Sequence, residues 1–450
     1  EFHERSIDSD LALALALEAR VLAPELRILL MSATIEAARA AAFIGAESLD
    51  VPGRSYPVET AYRAIDSGRG FASATAAAAA GLADSVRGDL LVFLPGLAEI
   101  GAVGRELSAL GRDSTPLHAS LPLEEQRRII RPREAGAEAS RQRIILATSI
   151  AETSLTVPGV EAVLDSGLAR LSRYDPRTGL NRLVTEREAQ DRADQRRGRA
   201  GRLGPGRALR LWAETDSLPA RSGPEILRAE LSGLLLETAV WGAARPTDLP
   251  FLDAPPQGAL DAAQELLESL GALDDKGRPT ELGQMASRLG VEPRLAVLVL
   301  QGARGGRLEV AAGLAALLEE GLPEGASDLA EGLSRLEGRD PRYGRARDER
   351  RRLMDAARRL APVKAISRDA APATSLGALL ASGFPDRVAK RLESGGGKAI
   401  FQLPGGRKLS VRGGLSEASW IVAAEAEAGG GRYAKTGEGR VFSGAALTEE

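Results

Sequence analysis

The densest chemistry in the chain lies in nine residues, DQRRGRAGR, from Asp194 to Arg202. If the stretch is helical, Gln195, Arg199 and Arg202 fall at i, i+4 and i+7 and share one stripe. Arginine presents a rigid, permanently charged fork to phosphate oxygens, and glutamine can hold an attacking water. Two arginines and a glutamine on one stripe therefore suit a polyphosphate. Gly198 and Gly201 would leave room for another backbone to approach that helix. A second cluster opens the chain: EFHERS, Glu1 to Ser6, sets two carboxylates around a histidine. Taken alone, such a stretch at residue 1 is an ordinary solvated terminus. Several other chemistries are excluded. The chain has no cysteine, hence no disulfide, thiolate metal site or cysteine nucleophile, which fits a cytoplasmic protein. His3 and His118 are its two histidines, so a histidine-rich metal centre is excluded too.

Such groups need a scaffold to position them, and the apolar pattern supplies one. Asp8-Ser9-Asp10 precede LALALALEAR, whose residues are apolar and strong helix formers, so a helix with an aspartate or serine cap is expected. Residues 27–31 read as a buried strand running into Ser32-Ala33-Thr34. From about Pro57 strands and helices alternate. LLVFLPG (90–96) reads as a strand followed by a helix to about Leu110, TPLHAS as a short strand, and LPLEEQRRII as a helix. RIILATS (143–149) and VEAVLDSG (160–167) are strands, YDPRTGLNRLV a hairpin turning at residues 176–179, and ALRLW (208–212) a final strand. This alternation implies a parallel, doubly wound sheet. Ala76 to Ala80 is a helix or linker. Helices dominate from Pro224, and beyond Ser382 short alternating runs between glycines (AIFQL, KLSVRG, SWIVAAE, RYAK, RVFSG) read as a small all-β region. SGGGKAI (394–400) is expected to be a β-turn. Leu392 stands where a phosphate loop needs its first glycine, and Ala399 where it needs a hydroxyl.

QRRGRAGR resembles motif VI of superfamily 2 helicases of the DEAH-box type, and other segments follow in that family's order. EFH resembles the last three letters of the DExH box (motif II) without its aspartate. MSATI resembles motif III, LVFLPG motif IV, and ATSIAETSLTVPGV motif V. YDPRTGLNRLV, PEILRAELSGLLLE and FPDRVAKR are similar to the HrpB branch, a bacterial group of DEAH-box RNA helicases. The resemblance implies an α/β RecA-like (P-loop NTPase-type) core with a partial first and complete second domain. A winged-helix domain, a helical bundle and a small β-rich C-terminal region would follow. The boundaries it implies are 1–55 for the first RecA-like remnant, 56–217 for the second RecA-like domain, 218–290 for the winged helix, 291–365 for the bundle and 366–450 for the β-rich region.

The same resemblance implies ATP and Mg²⁺ as cofactors and single-stranded RNA, or DNA, as partner. Glu1 would polarise the attacking water and act on Mg²⁺ indirectly, the direct aspartate ligand being absent from the chain. Gln195 would place that water, with Arg199 and Arg202 as arginine fingers. His3, Ser32, Thr34, Glu152 and Thr156 would bind nucleotide or link its state to strand grip. Ser120, at the start of a helix, would contact nucleic acid together with Thr153 and Ser154.

Three departures qualify these expectations. A phosphate loop must carry a lysine, yet six of the 59 basic residues are lysines and the first is Lys276. The loop is therefore expected upstream of Glu1 in a longer parent, and the chain alone is expected to be inactive. Pro158 stands where many relatives carry an acidic residue, and Ile130 where an aromatic often stacks on adenine. A net charge of −3 excludes a globally basic nucleic-acid binder but not a local basic groove. The apolar runs are too short to span a bilayer. The reading is an ATP-dependent RNA helicase. Its rivals are a DNA-directed translocase of the same superfamily and a non-catalytic nucleic-acid-binding scaffold.

Overall fold

The computed structural model describes residues 2–32, 37–51, 56–66, 68, 70–131, 142–152, 157–322, 327–338, 340–360, 375–395, 398–427 and 438–448. Its contacts divide the chain into two compact units. One comprises Ala46–Leu171 and Val184–Gly223, the other Glu1–Gly45, Ser172–Leu183 and Pro224–Glu450. We call them the sheet unit and the helical unit.

The first described residues, Phe2–Glu4, form a 3₁₀ turn, and Arg5 follows at φ 50°. Helix α1 (Ile7–Leu22) is capped by Ser6, whose hydroxyl accepts from the Ser9 amide, with Asp8 and Asp10 in the first turn. The cap thus lies just ahead of the acidic cluster, and the aspartates sit where the helix dipole favours anions. Helix α2 (Ala37–Ile44) comes next. The strand expected at residues 27–31 does not form. A strand needs a neighbour to take its amides and carbonyls. Here Met31 O accepts from Phe2 N at 2.9 Å, and Leu29 and Met31 remain largely exposed.

The sheet unit is built from β1 (Val58–Tyr62), α3 (Phe71–Asp84), β2 (Asp89–Phe93), α4 (Leu97–Ala109), β3 (Ser114–Leu117), α5 (Leu123–Ile130), β4 (Ile144–Ala147) and β5 (Val160–Asp165). The hairpin strands β6 (Leu168–Asp175) and β7 (Leu180–Arg187) follow, their Ser172–Leu183 portion belonging to the helical unit, then α6 (Gln190–Gly198) and β8 (Gly206–Arg210). Six strands lie in the order β1-β8-β5-β2-β4-β3, and every pairing is parallel. DLLVF and IILA are buried along their whole length, as befits parallel strands covered on both faces. The connection after β2 leads to β3, beyond β4, whereas the connection after β4 returns to β5 on the far side of β2. Opposite departures make a topological switch, and a crevice opens there outside the carboxyl ends of the strands. At the other end, buried Asp89 accepts from Arg143 N and Nε at 2.8 Å and from Nη2 at 2.6 Å, which fixes where β2 and β4 begin.

In the helical unit, α7 (Ser232–Trp241), α8 (Gln257–Ser269), α9 (Glu281–Ser287), α10 (Pro293–Arg304), α11 (Leu308–Glu320), α12 (Leu329–Glu337), α13 (Gly344–Leu360) and α14 (Leu376–Ala381) surround one apolar core. Strands β9 (Val388–Gly395), β10 (Lys398–Gln402), β11 (Lys408–Arg412), β12 (Trp420–Glu427) and β13 (Gly439–Leu447) follow. They run β13-β11-β10-β9-β12, and β12 pairs back to β13. The five strands therefore close into a barrel, which leaves no open edge among them. Phe401, Leu409, Val411 and Ile421 fill its interior. Residues 396–397 of the SGGGKAI turn, and RYAK, lie outside the described residues.

Helix α14 packs against the barrel through Gly377, where a Cβ would lie 2.3 Å from Ala446 O. A methyl group there must push two backbones apart. Gly377→Ala is expected to cost about 2 kcal/mol, read as a lowered midpoint in urea unfolding.

Candidate functional site

At the carboxyl ends of the sheet one side chain organises its surroundings. Arg196, buried to 3% of its side-chain surface, donates from Nη1 to Asp165 at 2.9 Å and from Nε to Glu152 at 3.2 Å. Its Nη2 donates to Glu188, and the guanidinium lies 5.1 Å from the centre of the Phe93 ring. These partners come from the end of β2, the turn after β4, the end of β5 and the residue after β7. Burial alone would lower the guanidinium pKa. The charges of Asp165, Glu188 and Glu152 outweigh it, raising the pKa above the ordinary value and keeping Arg196 charged. Arg192 approaches Glu152 at 3.6 Å and donates from Nε to Ser222 at 3.1 Å. Burial pushes the Glu152 carboxyl up. Arg196 and Arg192 pull it back only in part, and Glu188 adds to the rise.

The proposed stripe is only partly helical. Helix α6 ends at Gly198, and Arg199–Gly201 is a 3₁₀ turn, so the i, i+4, i+7 spacing does not hold through Arg202. The tighter turn follows from close packing at Gly201, where a Cβ would lie 2.7 Å from Tyr56 O, and at Gly206, where it would lie 2.4 Å from Ala200 O. Gly198 departs from expectation: a Cβ there meets nothing within 4 Å, so the fold itself does not need glycine. Arg199 is buried and donates to the Glu152 carbonyl, Gln195 is half-buried, and Arg202 is exposed. Just ahead of Gln195, Asp194 accepts from Arg210 at 2.6 Å and from Gln190 at 3.0 Å. Arg210 is itself buried, its guanidinium 5.7 Å from the Tyr62 ring and 5.4 Å from that of Trp212.

Gln195, Arg199, Arg202 and Glu152 all lie in the sheet unit, where Arg199 donates to the Glu152 carbonyl and the Glu152 carboxylate is turned into the arginine cage. His3 and Ser32 are half-buried and belong to the helical unit. Ser120 is exposed in a turn, two residues before Pro122 caps α5. It is therefore not at a helix start, as the sequence suggested, because proline takes the capping position. Glu1, Thr34, Thr153, Ser154 and Thr156 lie outside the described residues. Ile130 packs on the core beneath the sheet, and the Pro158 carbonyl accepts from Arg143 at 3.2 Å. Among the described residues no three of His, Asp or Glu converge on a point that could hold a metal. Arg202 is exposed on this segment, and a Cβ at Gly198 would meet open space. Sequence reasoning missed Arg196, although a signal existed. Ala193, Arg196 and Ala200 repeat at helical spacing on the buried side, one step from the stripe.

Residues 77–204 match the helicase conserved C-terminal domain. The ATP-dependent RNA helicase HrpB of Escherichia coli K12 is 43% identical over 307 residues, which is 67% of this chain and 37% of that protein. The ATP-dependent RNA helicase HrpA of the same strain is 39% identical over 322 residues, 68% of this chain and 24% of that protein. A crystal structure of the E. coli DEAH/RHA helicase HrpB superposes with a TM-score of 0.82 and 36% identity, covering 100% of this chain and 55% of that one. The chain belongs to the HrpB-type DEAH-box helicases. It spans about half the length of the solved HrpB chain and less of the relatives matched by sequence. Among the described residues of this HrpB-type chain, no helix is long and apolar enough to cross a membrane.

Two predictions follow from this geometry. Arg196→Met leaves three buried carboxylates without their cation and is expected to cost about 3–5 kcal/mol at neutral pH. Without Arg196 the Glu152 carboxyl rises further above its unfolded value, so the folded variant binds that proton more tightly than the unfolded chain. Its contribution is therefore retained below the unfolded glutamate value and lost as pH rises through the folded one. Unfolding at a series of pH values from about 4 to 7 should show the deficit shrinking in acid. Gly201→Ala should lower the thermal midpoint, whereas Gly198→Ala should leave it unchanged or raise stability by up to about 1 kcal/mol.

Proposed function

We propose that this HrpB-type chain carries the arginine side of an ATP-hydrolysing RNA helicase. The reading rests on one observation above all: Gln195, Arg199 and Arg202 lie along one segment, α6 and the turn after it, that Arg196 clamps to the carboxyl ends of a parallel sheet. Phosphoryl transfer needs little covalent chemistry from the protein. It needs positioning and charge stabilisation, which a glutamine and two braced arginines provide. ATP, when bound, supplies the phosphoryl group and a polyphosphate for these arginines to hold. Gln195 would orient the attacking water, and Arg199 and Arg202 would balance the charge that develops on the phosphoryl oxygens. Glu1, His3, Ser32, Thr34 and Thr156 would complete the nucleotide side, and Ser120, Thr153 and Ser154 would touch the strand's backbone. Mg²⁺, when bound with the nucleotide, would neutralise phosphate charge, with Glu1 acting on it indirectly.

RNA as the substrate is supported by the names of the relatives; a single strand is the form we propose, and contacts to its phosphate and ribose would give little sequence preference. The assignment of 1–55 and 56–217 to RecA-like domains, 218–290 to a winged helix, 291–365 to a bundle and 366–450 to the β-rich region belongs to the same proposal. So does a cytoplasmic location.

The test supplies the chain with an upstream phosphate-loop segment and measures ATP hydrolysis with and without single-stranded RNA. Stimulation by RNA is expected, and Arg202→Ala should lower kcat by about 10³-fold or more with little change in folding. A wild-type protein that hydrolyses no ATP sinks the helicase reading, and stronger stimulation by DNA than by RNA would favour the DNA translocase. Strand affinity should fall with salt, at a slope of about −0.7 per phosphate neutralised.

A further inference from the structure

Arg5 occupies a place that nothing in the proposed function assigns. It is an arginine at φ 50°, the one non-glycine residue with positive φ among those described. A side chain in the left-handed region is uncommon and costs energy, so the surrounding structure must hold it there. The side chain is 3% exposed. Nε and Nη2 donate to Asp10 Oδ1 and Oδ2 at 2.9 and 3.1 Å, a two-pronged grip on the first turn of α1. The same Nη2 donates to Asp253 Oδ2 at 2.7 Å. Asp253 lies between α7 and α8, and Arg39 of α2 reaches it as well, at 2.8 and 3.3 Å, while also donating to Leu252 O at 3.0 Å.

The backbone repeats the connection. Arg5 O accepts from Glu225 N at 3.0 Å, and the Glu225 carboxylate accepts from Ile7 N at 3.1 Å. On the other side, the Arg5 guanidinium lies 5.5 Å from the Phe2 ring, and Arg5 N donates to Phe2 O at 3.1 Å. The turn that carries His3 is thus held by one buried cation and one glutamate. Both connect it to the segments flanking α7.

The geometry points to Arg5 as a positioning residue: with Asp253 and Glu225 it latches the Phe2–Glu4 turn to the segments around α7, and so relays the state of that region to His3. This rests on the proposed function only for what the relay carries. The latch itself is a property of the chain. Asp253 is its adjustable part, since it is partly exposed and shared between Arg5 and Arg39, whereas Asp10 is fully enclosed. Asp253→Asn keeps the shape and removes the charge that both arginines use.

Two measurements decide the matter. In the 450-residue chain, amide hydrogen exchange is followed in the wild type, Asp253→Asn and Glu225→Gln. Both variants should speed exchange at Phe2, Arg5 and Ile7 by at least about fivefold while the α10 and α11 amides stay protected. Unchanged exchange at the turn overturns the latch, whatever the ATPase result. In the chain supplied with its phosphate-loop segment, Asp253→Asn should leave unstimulated hydrolysis and RNA affinity unchanged. It should cut the stimulation by RNA by at least about fivefold, and Asp253→Glu should restore part of it. Equal loss of both rates in step with a lower thermal midpoint overturns the relay. If the wild type shows no RNA-stimulated hydrolysis, the proposed function and the relay both fall, and hydrogen exchange alone judges the latch.

Discussion

The sheet unit depends on one buried cation. Arg196 draws three carboxylates and an aromatic ring from four different strand ends into a single cage. A parallel sheet fixes its strands but not the loops beyond their carboxyl ends. Those loops carry the charged groups of the proposed site, which apolar packing alone does not orient. An enclosed guanidinium solves that problem with directional bonds, since five donors in a rigid plane can hold several acceptors at set angles. The arrangement is demanding. Removing the cation leaves charges that the interior cannot hydrate, so this part of the structure is either complete or badly destabilised.

Arg199 and Arg202 depend on that cage. They follow directly from α6, and the 3₁₀ turn that presents them is held between the Arg196 cage and the close contacts of Gly201 and Gly206. Neighbouring arginines of one motif therefore have opposed duties. Arg196 is spent on carboxylates inside the protein, whereas Arg202 reaches outward. The division follows from where each sits: Arg196 is on the buried face of α6, whereas Arg202 comes after the 3₁₀ turn that ends it.

The helical unit repeats the principle with different residues. Arg5, close behind the histidine of EFHERS, joins α1 to the segment before α8 through two aspartates, and Arg294 grips Asp386 through two bonds at 2.6 and 2.8 Å. A chain poor in lysine uses arginine for these buried joints, and arginine is better suited to them because it keeps its charge when enclosed. In the barrel, β12 pairing with β13 satisfies the strand edges and apolar side chains fill the interior, while Arg387 ties β12 to the hairpin through the Ala424 and Gly179 carbonyls.

Much was legible in the residues themselves. Alternating apolar runs and helix formers gave the parallel sheet, the helices after Pro224 and the β-rich end, because local periodicity follows directly from which face is buried. The order of the motifs identified the family. Other features depended on distant partners. Residues 27–31 have the composition of a strand but no neighbouring strands to pair with. Ser120 lies ahead of the helix it was expected to start, since Pro122 takes the cap. The Arg196 cage and the Arg5 latch join residues far apart in sequence, and no spacing rule points from Arg5 to Asp253 or from Arg196 to Glu152. Sequence determined which groups are present and which face of an element each occupies, because both are set within a few residues. Tertiary structure alone decided which arginines are enclosed and which reach solvent, because burial and ion pairing are settled only when strand ends from across the chain meet.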